Sequence, residues 1–380
     1  MLEITFPFHG AILSHRHGQQ DAAGLTIAVR GQAPAGARVT VNGVPARRDG
    51  AAFEAAVTLT APETDLVAVA VGGARSPSAP GGTDASARSP YPPHTVRVVW
   101  DRHSRPRYRF SIDDNSFFLL DIARKGYRSL FDCFYLALLR DLHARYGTKF
   151  TVNIYYTTAQ EYPGDTFALP EFPDRYRGEW TDNADWLRLT FHARQNLPDR
   201  PYENAPPAQL ARDFDAVHDE IVRFAGAAAW CPPTVIHWAL VRPDALGVLT
   251  ARGVKALSGM FSRRPDGRYD IGYGLDPVRA AHVARHDCLK DFATGIVFSN
   301  ADIICNNTPV ANVAPLLAPL MRDPNRAEIM DLFTHEQYFW PFYQRYLPDH
   351  PARVEAAIRF CTEAGYAPVF FHEGLLGGLE

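Results

Sequence analysis

The sequence has no long apolar run and little cysteine. No stretch approaches the roughly 18 to 20 apolar residues that a bilayer requires, and charged residues and histidines interrupt the apolar stretches of the first residues. It therefore predicts neither a membrane span nor a signal peptide, and we expect a cytoplasmic protein unless a leader has been removed. The five cysteines are an odd number without Cys-x-x-Cys spacing, which argues against a disulfide framework or a zinc knuckle.

Positive and negative charges nearly balance. The chain has 39 Lys and Arg against 42 Asp and Glu, a net charge of −3, so it lacks the basic field that nucleic acids select. We therefore expect no nucleic-acid partner. Phosphate-loop, Gly-x-Ser-x-Gly and dinucleotide-binding motifs are absent as well. What is present is ample core material, 46% hydrophobic and 12% aromatic, in a chain of 380 residues, which predicts two domains or one large barrel with an appendage.

The first hundred residues have the alternation typical of β-strands. Short alternating runs occur at Leu25–Val29, Arg38–Val41, Phe53–Leu59, Leu66–Val71 and Thr95–Trp100. Turn signals such as Asn42-Gly43 separate them, and a Ser, Pro and Gly-rich segment at Ala74–Pro93 predicts a loop. We therefore predict an antiparallel β-sandwich over residues 1–103. Its strand–turn–strand around Asn42-Gly43 resembles the small Ig-like domains that accompany bacterial carbohydrate-active enzymes.

Residues 104–380 alternate between strand-like and helical patterns. Three times an amphipathic helix is followed by a glycine and a β-rich run, at Gly147, Gly253 and Gly365, and the runs are Lys149–Tyr156, Val254–Leu257 and Tyr366–Phe371. Further strands are predicted at Tyr108–Ile112, Leu187–Phe191, Thr234–Leu240, Ile303–Cys305 and Ile329–Phe333. Glycine adopts the left-handed conformation of a helix C-cap without steric strain, so each of these marks a helix end and a return toward the sheet. This pattern predicts a closed or nearly closed β/α barrel, in which catalytic groups lie at the carboxyl ends of the strands.

Acids and histidines follow several of the predicted strands. Taken singly, an Asp-Asp pair is more often a turn or helix cap, and a histidine more often a core or surface residue. In a barrel, however, every parallel strand delivers its end to the same rim, and an acid with two imidazoles and an open position is a usual catalytic zinc site. The strand-terminal residues are Asp113, Asp114, His192, His237 and His335.

At Ser111-Ile112-Asp113-Asp114 the chain resembles the Thr-Phe-Asp-Asp motif of the polysaccharide deacetylase, or NodB-like, family. The resemblance implies a distorted β/α barrel in which Asp113 is the general base and Asp114 a metal ligand. It also implies that His335, which precedes a helix–Gly365-Tyr366–strand ending, protonates the leaving group.

The family's second motif, His-Ser/Thr-x-x-His, is only half matched, because Asn196 stands where the second histidine is expected after His192. Three interpretations of this difference remain open: His237 takes the place of the missing histidine as a metal ligand, Asn196 is a weak ligand, or the metal is absent. We favour His237.

These observations predict a metal-dependent hydrolase that removes an acyl group from a carbohydrate or a related substrate by means of water activated by a divalent metal, with zinc preferred. The expected substrate contacts are Trp238, Tyr338 and Arg194. One alternative is a metal-free glycoside hydrolase that pairs Asp113 or Asp114 with a more distant carboxylate, Glu336 or Glu373. Another is a carbohydrate-binding protein without catalytic activity.

Overall fold

The computed structural model describes residues 1–72, 91–158, 164–261, 265–267 and 272–373. The chain forms two compact units, Met1–Ser104 and Arg105–Glu380. Most of the loop predicted at Ala74–Pro93 lies outside the described residues. Within the described residues, no helix is both long enough and apolar enough to cross a membrane.

The first unit consists of two five-stranded sheets. In chain order its described strands are β1 (Glu3–Phe6), β2 (Ile12–Leu13), β3 (Gly18–Asp21), β4 (Gly24–Gln32), β5 (Arg38–Val41), β6 (Val44–Pro45), β7 (Arg47–Asp49), β8 (Ala52–Leu59), β9 (Glu63–Val71) and β10 (His94–Trp100). One sheet has the order β1-β4-β8-β7 with β3 beside β4, and the other has the order β2-β10-β9-β5-β6. Alternate residues such as Phe53, Val57 and Leu66 enter one apolar core shared by both sheets. The likeness to Ig domains stays a prediction.

The second unit combines parallel strands with helices. Its described strands are β11 (Arg107–Asn115), β12 (Phe150–Tyr155), β13 (Leu187–Ala193), β14 (Ala256–Gly259), β15 (Cys288–Lys290), β16 (Val297–Asn300), β17 (Ile303–Ile304), β18 (Ile329–His335) and β19 (Ala367–Pro368). Its described helices are α1 (Phe117–Lys125), α2 (Phe134–Tyr146), α3 (Arg177–Asp182), α4 (Pro207–Ala225), α5 (Leu246–Thr250), α6 (Pro277–His286), α7 (Val310–Leu317) and α8 (His350–Glu363).

These strands form two sheets rather than one continuous ladder over the described residues. The larger is parallel, in the order β13-β12-β11-β18-β17, with β19 beside the start of β11, and the smaller has the order β14-β16-β15. Every residue of β11 and β12 is buried, as expected for central strands covered on both faces. Single backbone hydrogen bonds from Cys231 to Leu189 (3.1 Å) and from Ser258 to Thr234 (2.7 Å) bridge the gap between β13 and β14.

Two predicted strands are wrong or shortened. Thr234–Leu240, predicted as a strand from its β-branched residues, instead contains a 3-10 turn at His237–Ala239. Trp238 and Ala239 have φ angles of 64° and 50°, which take the backbone out of the extended conformation, so this segment cannot pair along its length. The strand predicted at Tyr366–Phe371 is reduced to Ala367–Pro368, where proline removes a donor.

The predicted helix ends are confirmed. Gly147 follows α2 with φ 69°, and its N–H donates to the carbonyl of His143 at 2.7 Å. Gly365 follows α8 with φ 83°. Both angles lie in the left-handed region, which only glycine occupies without strain, and this is why the glycines predict the ends so well.

Candidate active site

The carboxyl ends of four parallel strands bring polar side chains to one rim. Asp113 and Asp114 lie near the end of β11, Tyr155 ends β12, His192 lies near the end of β13 and His335 ends β18. The register of β11 and β18 places Asp113 directly opposite His335. Parallel strands have a common direction, so their ends meet at one edge.

A β-bulge lets two successive acids line the same cleft. In a regular strand Asp113 and Asp114 would point to opposite faces. Here the register of β11 against β12 shifts between Ile112 and Asn115, and Asp114 has φ 61°. Both carboxyl groups therefore line the cleft. A left-handed aspartate is a conformation that proteins retain at functional sites although it is unfavourable by about 1–3 kcal/mol.

Asp114, His192 and His237 form a buried cluster with the spacing of metal ligands. His192 Nε2 lies 3.1 Å from Asp114 Oδ1 and 3.1 Å from His237 Nδ1, and His237 Nδ1 lies 3.4 Å from Asp114 Oδ1. Ligands placed tetrahedrally at about 2.0–2.1 Å from a zinc ion are separated by about 3.3 Å. The three atoms therefore already lie at the separations that such an ion imposes.

Backbone carbonyls determine which ring nitrogens face the cluster. His192 Nδ1 lies 2.9 Å from the carbonyl of Val235, and His237 Nε2 lies 3.0 Å from the carbonyl of Asn196. Because a carbonyl oxygen only accepts, we assign a proton to each of these nitrogens. The opposite nitrogens then turn their lone pairs toward Asp114. Carbonyl partners of this kind are typical around metal-binding histidines.

Three electron-rich atoms that face one another at 3.1–3.4 Å repel one another unless a proton or a metal ion lies among them. Protonation of His192 is disfavoured, because burial lowers the pKa of its imidazole despite the nearby carboxylate of Asp114. A divalent ion fits this donor set, since two neutral imidazoles and a carboxylate are usual ligands of zinc and similar metals.

The two adjacent acids differ in their proton affinity. Burial, followed by the charge of Asp114, raises the pKa of Asp113 well above its ordinary value. Burial also acts to raise the pKa of Asp114, but hydrogen bonds from His192 and His237, which need a proton on the nitrogens that face Asp114, outweigh burial and bring it well below the ordinary value. A pair of carboxyl groups separated in this way offers one proton carrier and one permanent anion.

The carboxyl group of Asp113 is held by a hydrogen-bond network that the sequence analysis missed. Its Oδ1 accepts from Asn153 Nδ2 at 2.8 Å and from Ser111 Oγ at 3.2 Å. Thr234 Oγ1 completes the network, 3.1 Å from Ser111 Oγ and 3.2 Å from Asn153 Oδ1. These residues resemble ordinary strand residues in the sequence, and only the pairing of β11 with β12 brings them together.

His335 is oriented by a neutral partner. Its Nδ1 lies 2.9 Å from Asn306 Oδ1, and its Nε2 lies 4.0 Å from Asp114 Oδ2. Burial lowers the pKa of His335, and the charge of Asp114 only partly offsets this. Because β18 and β13 lie on opposite sides of β11, His335 approaches Asp114 from the side opposite His192 and His237.

The expected substrate contacts are not all in one place. Trp238 is 50% exposed and lines the cleft, as does Tyr338. Arg194 instead lies over the ring of Tyr156, with its Cζ 4.9 Å from the ring centre, and it is not among the described residues that line the cleft. Arg200, which the sequence analysis overlooked, lines the cleft and lies 5.7 Å from the centre of the Trp238 ring. Trp238 follows His237 in the irregular turn with φ 64°, and this conformation exposes its ring.

The distant carboxylates of the glycosidase alternative have other partners. Glu336 is fully buried and accepts from the backbone N–H groups of Ser116, Phe117 and Phe118 and from Trp340 Nε1. It therefore caps the first turn of α1. Glu373 pairs with Lys149 (3.2 Å) and Arg188 (3.1 Å), which lie at the beginnings of β12 and β13, the edge opposite Asp113.

Comparison with protein-family models and with curated proteins finds no match. Among solved structures, the chain is similar to a CE4 esterase of Streptococcus mutans (12% identity, covering 70% of this chain and 87% of the other, TM-score 0.36). It is also similar to a family 4 acetyl xylan esterase of Clostridium thermocellum in complex with a cobalt ion (12%, 70% and 88%, TM-score 0.36). A 4-alpha-glucanotransferase of Thermococcus litoralis is similar over 72% of this chain but only 40% of its own (13%, TM-score 0.44). Because these TM-scores are below 0.5, the proposals below depend on the geometry of the site.

Proposed function

We propose that this protein is a metal-dependent hydrolase that removes an acyl group from a carbohydrate, with a divalent ion held by Asp114, His192 and His237. The observation that carries the proposal is the convergence of two imidazole lone pairs on a carboxylate, at 3.1–3.4 Å, in a buried site. We propose zinc because the donor set is of the nitrogen and oxygen type that zinc takes in hydrolases. Such an ion lowers the pKa of water toward neutrality and polarises a carbonyl oxygen.

The proton transfers are assigned to the two residues on either side of the triad. Both hydrogen bonds to Asp113 described above end on Oδ1, so Oδ2 is the oxygen that receives the proton of the attacking water. His335 Nδ1–H donates to Asn306 Oδ1, so Nε2 supplies the proton of the departing alcohol or amine from the imidazolium form, and the ring regains a proton from Asp113, which has taken one from water. These roles agree with the positions that the resemblance to polysaccharide deacetylases implies.

The shape of the cleft supports a carbohydrate substrate. Its volume of about 1210 Å³ exceeds the roughly 300–1,000 Å³ typical of small-molecule pockets. Trp238 and Tyr338 offer ring faces on which sugars stack. Arg194 is retained as a substrate contact only for a substrate that extends past Tyr156. For the first unit we keep the proposal of an Ig-like sandwich.

The direct test is metal content together with activity. Elemental analysis of the purified chain is expected to find about one divalent ion per chain, and acetylated oligosaccharides should release acetate. Asp114→Ala and His237→Ala should lose both. His218→Ala is the matched control, because His218 is exposed and lies on α4 against Trp230.

Two results would contradict the proposal. The first is a parent chain that binds no metal after incubation with zinc, manganese or cobalt. The second is hydrolysis that continues unchanged in Asp114→Ala after chelation. The glycosidase and the binding-protein alternatives would then have to be tested with unmodified glycans.

A further inference from the structure

A tyrosine hydroxyl lies inside the candidate metal site. Tyr155 ends β12, is 1% exposed, and donates through its hydroxyl to Asp114 Oδ1. The same hydroxyl oxygen lies 3.1 Å from His237 Nδ1 and 3.1 Å from Asn196 Oδ1. It therefore lies next to the two ligand atoms contributed by Asp114 and His237.

The number of protons in this cluster is too small for its acceptors. The tautomers assigned above leave bare nitrogens on His192 and His237, and Asp114 contributes a carboxylate. Between these three groups the hydroxyl of Tyr155 supplies one proton, which can satisfy only one of them. A metal ion resolves the conflict for all four groups if it binds the oxygen of Tyr155 as well as the other three.

The imidazole rings of His192 and His237 fix the position of the Tyr155 ring. It packs edge-on against the ring of His237, with centres 5.3 Å apart and an interplanar angle of 89°, and it tilts against the ring of His192, also at 5.3 Å. Since the ring is buried between the two imidazoles, the hydroxyl oxygen is preorganised beside them rather than reaching the site by chance.

Charge favours the same arrangement. An ion of charge +2 bound by Asp114 and two neutral imidazoles leaves a net charge of +1 in a buried site, where uncompensated charge is unfavourable. Either a carboxylate at Asp113, the form that the proposed reaction requires, or a phenolate at Tyr155 brings this sum to zero. The oxygen of Tyr155 is already in contact with Asp114 and His237.

We infer that the hydroxyl oxygen of Tyr155 is a fourth protein ligand of the ion held by Asp114, His192 and His237. This inference rests on the proposed function, since it concerns the same ion. On binding, the O–H bond of Tyr155 breaks, its proton passes to solvent, and an oxygen–metal bond forms without any change of oxidation state. Asp114, His192, His237 and Tyr155 would together hold the ion, which would still supply the activation of water bound beside them.

The test is a metal titration read by visible absorption. Full-length protein freed of metal is titrated with Cu(II), and separately with Zn(II) by calorimetry. A phenolate bound to Cu(II) gives an intense visible charge-transfer band, which Tyr155→Phe should lack. Tyr155→Phe should also raise the Kd for zinc by at least about 10-fold, but loss of a hydrogen bond to a ligand alone has an effect of that size, so the band is the deciding readout.

Tyr156→Phe is the matched control. It is the same substitution at the next residue, whose ring lies under Arg194 rather than beside the histidines. It should retain the band and the zinc affinity of the parent. Circular dichroism of the metal-free variants checks that each of them folds.

The outcomes separate this inference from the proposed function. If the parent binds one ion but has no charge-transfer band, or if Tyr155→Phe keeps the band, Tyr155 is not a ligand and the inference is wrong, while the proposed function stands. If the parent binds no metal, both fail.

Discussion

Glu336→Gln provides a test of the second unit that does not depend on any metal. The carboxyl group of Glu336 accepts from four donors, two on each oxygen. Ser116 N (2.6 Å) and Phe117 N (3.0 Å) donate to Oε2, while Phe118 N (2.6 Å) and Trp340 Nε1 (3.0 Å) donate to Oε1. The first three are N–H groups at the beginning of α1, which have no partner within the helix.

An amide in this place loses half of the hydrogen bonds. Whichever way the Gln side chain turns, its NH₂ group faces two of the four donors and accepts from neither. Burial raises the pKa of Glu336 to about 8, an effect that the four donors oppose. The count is that of the carboxylate, because a protonated carboxyl group donates its own hydrogen from one oxygen, so unfolding is measured above that pKa.

The expected loss of stability follows from this count. A buried donor left without a partner is unfavourable by about 1–3 kcal/mol, so two such donors lower the free energy of unfolding by about 2–6 kcal/mol. In a domain of this size about 2 °C of Tm corresponds to 1 kcal/mol, which gives a decrease of about 4–12 °C. The measurement is thermal unfolding by circular dichroism and calorimetry.

Glu171→Gln is the control for this experiment. Glu171 also accepts a backbone N–H, from Ala168 at 2.8 Å, but its side chain is 45% exposed, so water replaces what the amide loses. Its Tm should change by about 1 °C or less. A Glu336→Gln variant that keeps the Tm of the parent but loses activity would refute the capping role and revive Glu336 as a catalytic carboxylate.

Three further predictions concern stability and binding. Burial lowers the pKa of His350 to about 3, so below pH 6.5 the folded state binds fewer protons than the unfolded state. The free energy of unfolding should therefore fall by at most about 1.4 kcal/mol per pH unit as the pH drops below 6.5, and His350→Gln should flatten the dependence of Tm on pH. Asp331→Asn should lower the free energy of unfolding by about 3–5 kcal/mol in denaturant titrations, because the buried guanidinium of Arg109 loses its carboxylate. Asp349→Asn, at an exposed carboxylate that pairs with Arg353, should change the free energy of unfolding little. Trp238→Ala should leave Tm nearly unchanged but raise KM for acetylated oligosaccharides about tenfold. The reason is that a sugar covering roughly 60 Å² of the exposed Trp238 ring gains about 1.5 kcal/mol of binding free energy at about 25 cal/mol per Å². An unchanged KM would exclude Trp238 as a residue on which the sugar stacks.

Local patterns in the sequence predicted much of the framework. Alternation placed strands at Arg38–Val41 and Phe53–Leu59, and apolar runs placed them at Leu187–Phe191 and Ile329–Phe333, because a half-buried or buried strand imposes its period on the residues that form it. The glycines at 147 and 365 predicted helix ends because few other residues adopt a positive φ. Patterns failed at Thr234–Leu240, where composition favoured a strand but the positive φ angles of Trp238 and Ala239 break the extended conformation.

The sequence by itself indicated the residues to which we assign the chemistry at the ends of β11, β13 and β18, since an acid or a histidine directly after a buried strand is visible in the order of residues. It could not choose between His237 and Asn196 as the proposed third ligand, and it contained no sign that the hydroxyl of Tyr155 lies in the same cluster. Only the tertiary structure brings His237 and Tyr155 to Asp114, because the bulge at Asp114, the irregular turn at His237 and the carbonyls of Val235 and Asn196 lie in separate parts of the chain. Contacts between residues 40 to 80 positions apart depend on how strands and turns pack, and no local pattern records that packing.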